Sequence, residues 1–296
     1  MKFIVNGTFA SYAEKILADK DYYRQYMKSE INSAQFREAM LADKSLADVA
    51  GFNDYAVRRI ALTPPCEKTP AETIINYFLN NIIANCKKCE NCEKAERIAH
   101  MYDGFDEYRE NIRANYNHGD FVTYVYPEDE RLLYAASKIA QPKRVFMAGS
   151  YYGYLAVWAM QAVRDNGGFA VFSDIDEEVC ALARKNFKKF GFDAHSEIYC
   201  EDASALLAKR TEPIDMLILD ATGRHDDERP GYRGKRIYGA LLSEAKHLLK
   251  KGSLIFIHNM EPENPEMKML VDELRAINAV GENYDTFNGL GVYIVR

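Results

Sequence analysis

The sequence predicts an α/β chain in which an all-helical N-terminal cap, residues 1–120, precedes a sheet domain, residues 121–296. Three observations carry this reading. Before residue 120, apolar residues recur at spacings of three and four, and strand-like alternation is almost absent. After residue 120, short apolar runs alternate with helical stretches, which is the rhythm of a parallel sheet covered on both faces. Near the C-terminus, Asn288-Gly289 separates two β-like runs and marks a hairpin turn.

Taken in order, Tyr12, Ile16 and Leu17 begin one amphipathic helix, and Phe36, Met40 and Leu41 lie in another. Ile75, Phe78, Ile82, Cys86 and Cys89 form a third, separated from what precedes by Thr63-Pro64-Pro65, since proline disfavours helix in the residue before it. Pro127-Glu128-Asp129-Glu130 opens a further helix, with proline in the first turn and acids at the positive end. The first strand is Arg144–Ala148, bounded by Pro142 and Gly149. Phe169–Ser173, Glu197–Cys200, Asp215–Leu219 and Ser253–His258 follow as strands, with helices between them that include Glu177–Phe190 and Lys235–Lys250. Tyr284–Phe287 and Leu290–Val295 close the domain as a hairpin.

Bulk properties narrow the function. With 48 % hydrophobic residues in 296, the chain has material for one large or two modest cores. A net charge of −6 gives no broad electrostatic footprint for nucleic acid. No signal-peptide pattern opens the sequence, and no run of eighteen apolar residues could span a membrane. The six cysteines, Cys66, Cys86, Cys89, Cys92, Cys180 and Cys200, then read as free thiols in a cytoplasmic protein.

The chemistry concentrates at successive strand ends. Gly149-Ser150-Tyr151-Tyr152-Gly153 follows the first strand, and glycine permits both a sharp turn and close backbone approach to a ligand. It is not the G-x-G-x-x-G of dinucleotide folds. The second strand ends at Asp174-Ile175, where a carboxylate can accept both hydroxyls of a ribose. The third ends at Asp202-Ala203, placed to meet the amine of an adenine, and the fourth at Asp220. Each acid would serve equally as a helix cap. Four acidic or glycine-rich tips in succession favour a ligand crevice.

At Met147-Ala-Gly-Ser-Tyr-Tyr-Gly-Tyr-Leu-Ala-Val the sequence resembles the class I S-adenosylmethionine (SAM)-dependent methyltransferases, most closely the catechol O-methyltransferase-like branch with its E-L-G-x-x-x-G-Y-S-A-V. The likeness covers residues 122–296. It implies a Rossmann-like seven-stranded sheet of order 3-2-1-4-5-7-6, with Asp174 on the ribose, Asp202 and Ala203 around the adenine, and Gly149 against the amino-acid end of SAM. Ser150, Tyr152, Gly153, Ile175 and Asp220 complete the expected cofactor site. Two departures stand out. The acid that usually precedes the first glycine is replaced by Ala148. The branch's metal site pairs a strand-four aspartate with Asp-Asn after strand five, and here Asp220 and Asn259 flank His258. Imidazole suits transition metals and not Mg²⁺, so no metal is expected.

Other features have two readings each. Tyr151, Tyr152 and Tyr154, with Tyr22, Tyr23 and Tyr26, either pack ordinarily or face the SAM sulfonium. The cluster Cys86, Cys89 and Cys92 invites a metal reading, but Cys86 and Cys89 continue an apolar helical stripe and packing is the favoured reading. The charged loop Thr222–Lys235 is either solvated surface or a lid carrying Arg224 and His225 to substrate. The expected activity is a transferase of small-molecule biosynthesis, methylating a hydroxyl, or less readily an amine, of a small metabolite. Asp220, His258, Asn259 and His225 are its candidate catalytic residues. The alternative is transfer or cyclisation of SAM's aminocarboxypropyl chain, as in nicotianamine synthase-like enzymes, releasing methylthioadenosine. A homodimer is the assembly considered; neither nucleic acid nor membrane is an expected partner.

Overall fold

A computed structural model of the chain describes residues 100–119, 125, 127–261, 264–284 and 289–296. The three amphipathic patterns before residue 90, the Tyr22–Tyr26 group and the cysteines before residue 93 lie outside those residues. The chain divides into two compact units, residues 1–136 with 285–288, and residues 137–284 with 289–296. Within the first, helix α1 (Phe105–Asn115) precedes α2 (Pro127–Ala140), whose last turn belongs to the second unit. A buried ion pair, Arg113 Nη2 to Glu130 Oε2 at 2.8 Å, joins these two helices. The Phe105 and Tyr134 rings meet at a tilt of 59° with centroids 5.0 Å apart.

The second unit is built on strands β1 (Arg144–Ala148), β2 (Phe169–Asp174), β3 (Ser196–Cys200), β4 (Ile214–Leu219), β5 (Leu249–His258), β6 (Ala279–Tyr284) and β7 (Leu290–Val295). They form one sheet of order β3-β2-β1-β4-β5-β7-β6, as the resemblance implied. The first five strands run parallel, and β7 is antiparallel to both β5 and β6. The chain winds outward in one direction from β1 to β3 and in the other from β4 onward. That reversal leaves a crevice at the carboxyl ends of β1 and β4, the usual place for a ligand in such sheets.

Helices α3 (Tyr154–Asp165), α4 (Glu177–Lys189), α5 (Ala203–Lys209), α6 (Ile237–Ala245) and α7 (Lys268–Ala276) cover the sheet. Helix α3 buries nine of its twelve residues, Trp158 among them, as expected of a helix apolar nearly all round. Phe172 of β2, Phe187 of α4 and Phe192 form a ring series at 5.0 and 6.1 Å. On the other side, Leu217, Leu219, Ile255 and Ile257 pack with Leu241, Leu242 and Leu270. Each such buried side chain stabilises the fold by about 1.5–3 kcal/mol relative to exposure.

Strands β2, β3 and β4 each extend one residue past the expected bounds at one end, and the helix expected over Lys235–Lys250 spans only Ile237–Ala245; two further boundaries differ for physical reasons. Strand β5 begins at Leu249 and not Ser253, because Lys250, Lys251 and Gly252 are exposed there and leave no hydrophobic signal. Its pairing with β4 also shifts register between Ile214 and Met216. Strand β6 lies at Ala279–Tyr284, upstream of the expected Tyr284–Phe287, and the turn through Asn288 falls outside the described residues. Among the described residues no helix is long and apolar enough to cross a membrane.

Candidate functional site

The turn after β1 is shaped by its glycines and by the strands beside it. Gly149 has φ +79°, and a side chain there would meet the Ala221 backbone at 2.4 Å. Its amide and that of Ser150 both donate to the Ser173 carbonyl at 3.0 Å. Tyr151 takes a left-handed conformation, φ +46°, and Gly153, φ +85°, leads into α3. The turn is held from below by Asn186 of α4, whose Nδ2 donates to the Tyr152 carbonyl at 3.1 Å. The Tyr151 and Tyr152 rings lie 4.0 Å apart. Burial, then the hydrogen bond to Tyr152, raises the Tyr151 phenol above its ordinary pKa.

Asp174, at the tip of β2, braces this turn. Oδ2 accepts from the Tyr151 amide at 2.8 Å, and Oδ1 accepts from the Ile175 amide at 2.8 Å. Burial pushes its carboxyl up, against amide bonds from Tyr151, Asp176 and Ile175 that pull it down. An ionised carboxylate has about four acceptor positions, so a ribose would share oxygens already engaged by backbone. Ile175 beside it is 58 % exposed, a large apolar side chain left uncovered at the crevice.

At the tip of β3, Asp202 is the N-cap of α5. Its Oδ1 accepts from Ser204 and Ala205 amides at 2.7 and 3.3 Å. Its other oxygen meets Arg229 Nη2 at 3.1 Å. Ala203 is buried in the first turn behind it. Arg229 belongs to the charged loop after β4, which is closed at its neck by two backbone bonds between Gly223 and Gly234, 3.0 and 3.1 Å. A side chain on Gly223 would meet the Tyr232 carbonyl at 1.6 Å, so the neck admits only glycine there. Arg229 lies 3.7 Å over the Tyr232 ring, and the Tyr232 hydroxyl reaches Ser204 Oγ at 3.0 Å. Arg224 pairs with Asp226, and His225 is exposed on the same loop. Neither takes part in the bonds that gather the residues described next.

The tips of β4 and β5 carry the densest polar cluster. His258 Nδ1 lies 2.9 Å from Asp220 Oδ1, and the imidazole is 3 % exposed. With Asp220 ionised, Nδ1 must donate, which fixes the tautomer and the ring orientation. Asn259 follows in a left-handed conformation, φ +52°. Its Oδ1 accepts from Lys235 Nζ at 3.2 Å. The same ammonium reaches the Ala221 carbonyl at 3.2 Å and the Tyr238 hydroxyl at 2.8 Å. Tyr238 in turn donates to the His258 carbonyl at 2.9 Å. Burial pulls Lys235 below an ordinary lysine pKa, while Asp220 and Glu261 hold it up. Glu266 Oε2 accepts from the Lys235 amide at 3.1 Å and fixes the backbone.

Asp220, His258 and Asn259 are thus brought together, and Gly149 packs directly under the Asp220–Ala221 backbone. Lys235 and Tyr238 were missed by sequence reasoning. They sit 15 and 18 residues beyond Asp220, in what reads locally as the start of an ordinary helix. This donor set does not suit a divalent metal. The Asp220 carboxylate is bonded to an imidazole, and a half-buried ammonium already sits on the Asn259 oxygen. Among the described residues no three His, Cys, Asp or Glu side chains gather as metal ligands.

A match to a known family falls within the sheet unit. Residues 146–260 match a family model described as a methyltransferase domain. No curated protein matches the chain. Similar solved structures include the O-methyltransferase TomG from Streptomyces achromogenes, involved in tomaymycin synthesis and crystallised with SAM. It is 16 % identical, with 72 % of this chain and 94 % of that one covered and a TM-score of 0.47. An O-methyltransferase from Bacillus cereus in complex with S-adenosylhomocysteine is 16 % identical over 76 % and 100 %, with a TM-score of 0.44. The Podospora anserina methyltransferase PaMTH1 is 19 % identical over 70 % and 97 %, with a TM-score of 0.46. Residues 146–260 are thus similar to a methyltransferase domain, and they lie within the seven-stranded sheet unit.

Proposed function

We propose that the chain methylates a hydroxyl of a small molecule, using SAM as the methyl donor. The observation that carries this is the abutment of two built clusters at the switch point: the glycine turn braced by Asp174, and the Asp220–His258 and Lys235–Asn259 pairs. SAM would lie across the ends of β2, β1 and β4. Its ribose would meet Asp174, and its adenine would lie between Ile175 and Ala203, near Asp202. The amino-acid end would reach Gly149, Ser150, Tyr152, Gly153 and Asp220, with Ala148 contributing only apolar bulk. The acceptor oxygen would attack the methyl carbon in line, the sulfonium leaving as a thioether, and the hydroxyl proton would pass to the Asp220–His258 pair.

The test is a mass-spectrometric product assay on the purified full chain with SAM, with and without a panel of hydroxylated small molecules. S-adenosylhomocysteine and a product heavier by one methylene are expected, and only when an acceptor is present. Steady, enzyme-dependent methylthioadenosine from SAM alone would overturn the proposal in favour of chain chemistry.

A further inference from the structure

The crevice lies at the carboxyl ends of the strands, and a second recess lies at their amino ends. A cavity of about 730 Å³ opens where β1, β2, β4 and β5 begin. Small-molecule sites typically enclose about 300–1,000 Å³. The length of the strands separates this cavity from Asp174, Asp220 and His258, and the reaction proposed above makes no use of it.

Its walls are unevenly charged. Lys143, Arg144, Arg210 and Lys250 line it, against only Glu212 and Asp215. Asp215 is committed to Lys250 at 2.7 Å and to the Lys143 and Arg144 amides. Glu212 lies 3.9 Å from Arg144. Lys143 and Arg210 are left without a carboxylate partner among the described residues, in a chain whose net charge is −6.

Arg210, directly after α5, is the decisive member. Its guanidinium carbon lies 5.8 Å from the centre of the Phe146 ring and 5.9 Å from that of Tyr199. Its Nε is buried and has no hydrogen-bond partner among the described residues. A buried N–H left unpaired is costly, and folded proteins rarely keep one without a reason. The rings fix where the guanidinium sits but accept none of its in-plane donors. An oxyanion entering the cavity would draw Nε and a neighbouring Nη into a two-pronged bond, the geometry in which arginine binds carboxylates and phosphates best. Next to this cation the lining turns apolar. Val171 is buried in it, and Phe169 is left 42 % exposed.

We propose that this recess is a second ligand site, built for a small molecule that joins a flat aromatic ring to a carboxylate or phosphate. The oxyanion would pair with Arg210 and Lys143, and the ring would cover Phe169. Aromatic acids and nucleoside monophosphates share this chemistry. The inference is independent of the reaction proposed at the other end of the sheet.

The test is calorimetry on the full-length protein with two probes, 2-naphthoate and AMP, in excess S-adenosylhomocysteine to occupy the crevice. At least one probe should bind. Arg210→Met keeps a stem of similar length and removes the fork, and it should weaken that binding roughly ten- to a hundredfold. Arg210→Lys should restore only part of the affinity, because it returns the charge without the fork. Phe169→Asp, which sets a carboxylate where the ring would lie, should weaken binding as well. All three variants should bind S-adenosylhomocysteine as the wild type does, which shows that they are folded. Binding of 2-naphthoate alone would support an aromatic acid as the ligand, and of AMP alone a nucleotide. The proposal is overturned if neither probe binds the wild type, or if Arg210→Met binds them equally well.

Discussion

Replacing Asp174 with alanine should separate two effects that one carboxylate produces. In the structure the Asp174 oxygens accept two amide bonds of 2.8 Å, from Tyr151 and Ile175. Hydrogen bonds to charged groups contribute about 1.5–3 kcal/mol each, but burying the carboxylate works against them, so a net loss of roughly 2–4 kcal/mol is expected. The unfolding midpoint in urea should fall accordingly, with an unchanged slope. The same carboxylate is the proposed partner of the SAM ribose, and its loss should weaken binding by roughly ten- to a hundredfold in calorimetry. Asp174→Asn refines the test, because the amide keeps one acceptor oxygen. It should recover part of the stability without recovering the affinity. If Asp174→Ala unfolds at the wild-type midpoint, the brace is not what holds the turn. If it binds SAM as the wild type does, the cofactor site has been placed wrongly.

Three further outcomes are expected. Gly149→Ala should lose roughly 2–5 kcal/mol, combining a left-handed non-glycine residue with overpacking against the Ala221 backbone, and a loss below about 1 kcal/mol in denaturant titration would contradict that geometry. Asp215 is a second brace, accepting from the Lys143 and Arg144 amides at 3.0 and 2.9 Å and pairing with Lys250 at 2.7 Å. Burial pushes its carboxyl up, but Lys250 and the amides outweigh it and hold the pKa below the usual range. The folded state therefore binds the proton less readily than the unfolded state. Its stabilisation is full above the unfolded pKa near about 3.9 and is lost as pH falls through the folded value. Asp215→Asn should be destabilised at pH 7, and its deficit should shrink below about pH 4; a deficit independent of pH would refute the assignment. Turnover should also survive EDTA, and loss of activity restored by added Mg²⁺ would show that the strand-tip cluster admits a metal after all.

The sheet was legible because its strands are buried on both faces and carry their signal locally. Arg144–Ala148 and the helix starting at Glu177 could be read from composition and capping alone. The strand tips were legible for the same reason, since Gly149 and Asp220 follow directly on an apolar run and Asp174 and Asp202 one residue after it. What could not be read were contacts made across the sequence. Lys235 meets Asn259 from 24 residues away, and Arg229 meets Asp202 from 27. A lysine or arginine in a charged stretch is most often solvated, so nothing local separates Lys235 from Lys246. The helix-cap alternative also proved true of Asp202, which caps α5 and at the same time pairs with Arg229. Strand β6, Ala279-Val-Gly-Glu-Asn-Tyr, alternates too weakly to have been found without its partner β7.

The bridge that pinches the loop between Gly223 and Gly234 has a consequence for how the domain could diversify. Everything between those two glycines is an excursion whose ends are already fixed, so its length affects Lys235 only through closure entropy. That penalty grows slowly, by about 0.6 kcal/mol for each doubling of length. Arg229 and Tyr232, which lie over Asp202, ride on the excursion; Lys235 lies just outside it. Insertions, deletions or a transplanted segment between the two glycines would remodel the surroundings of Asp202 and leave Lys235 where it stands.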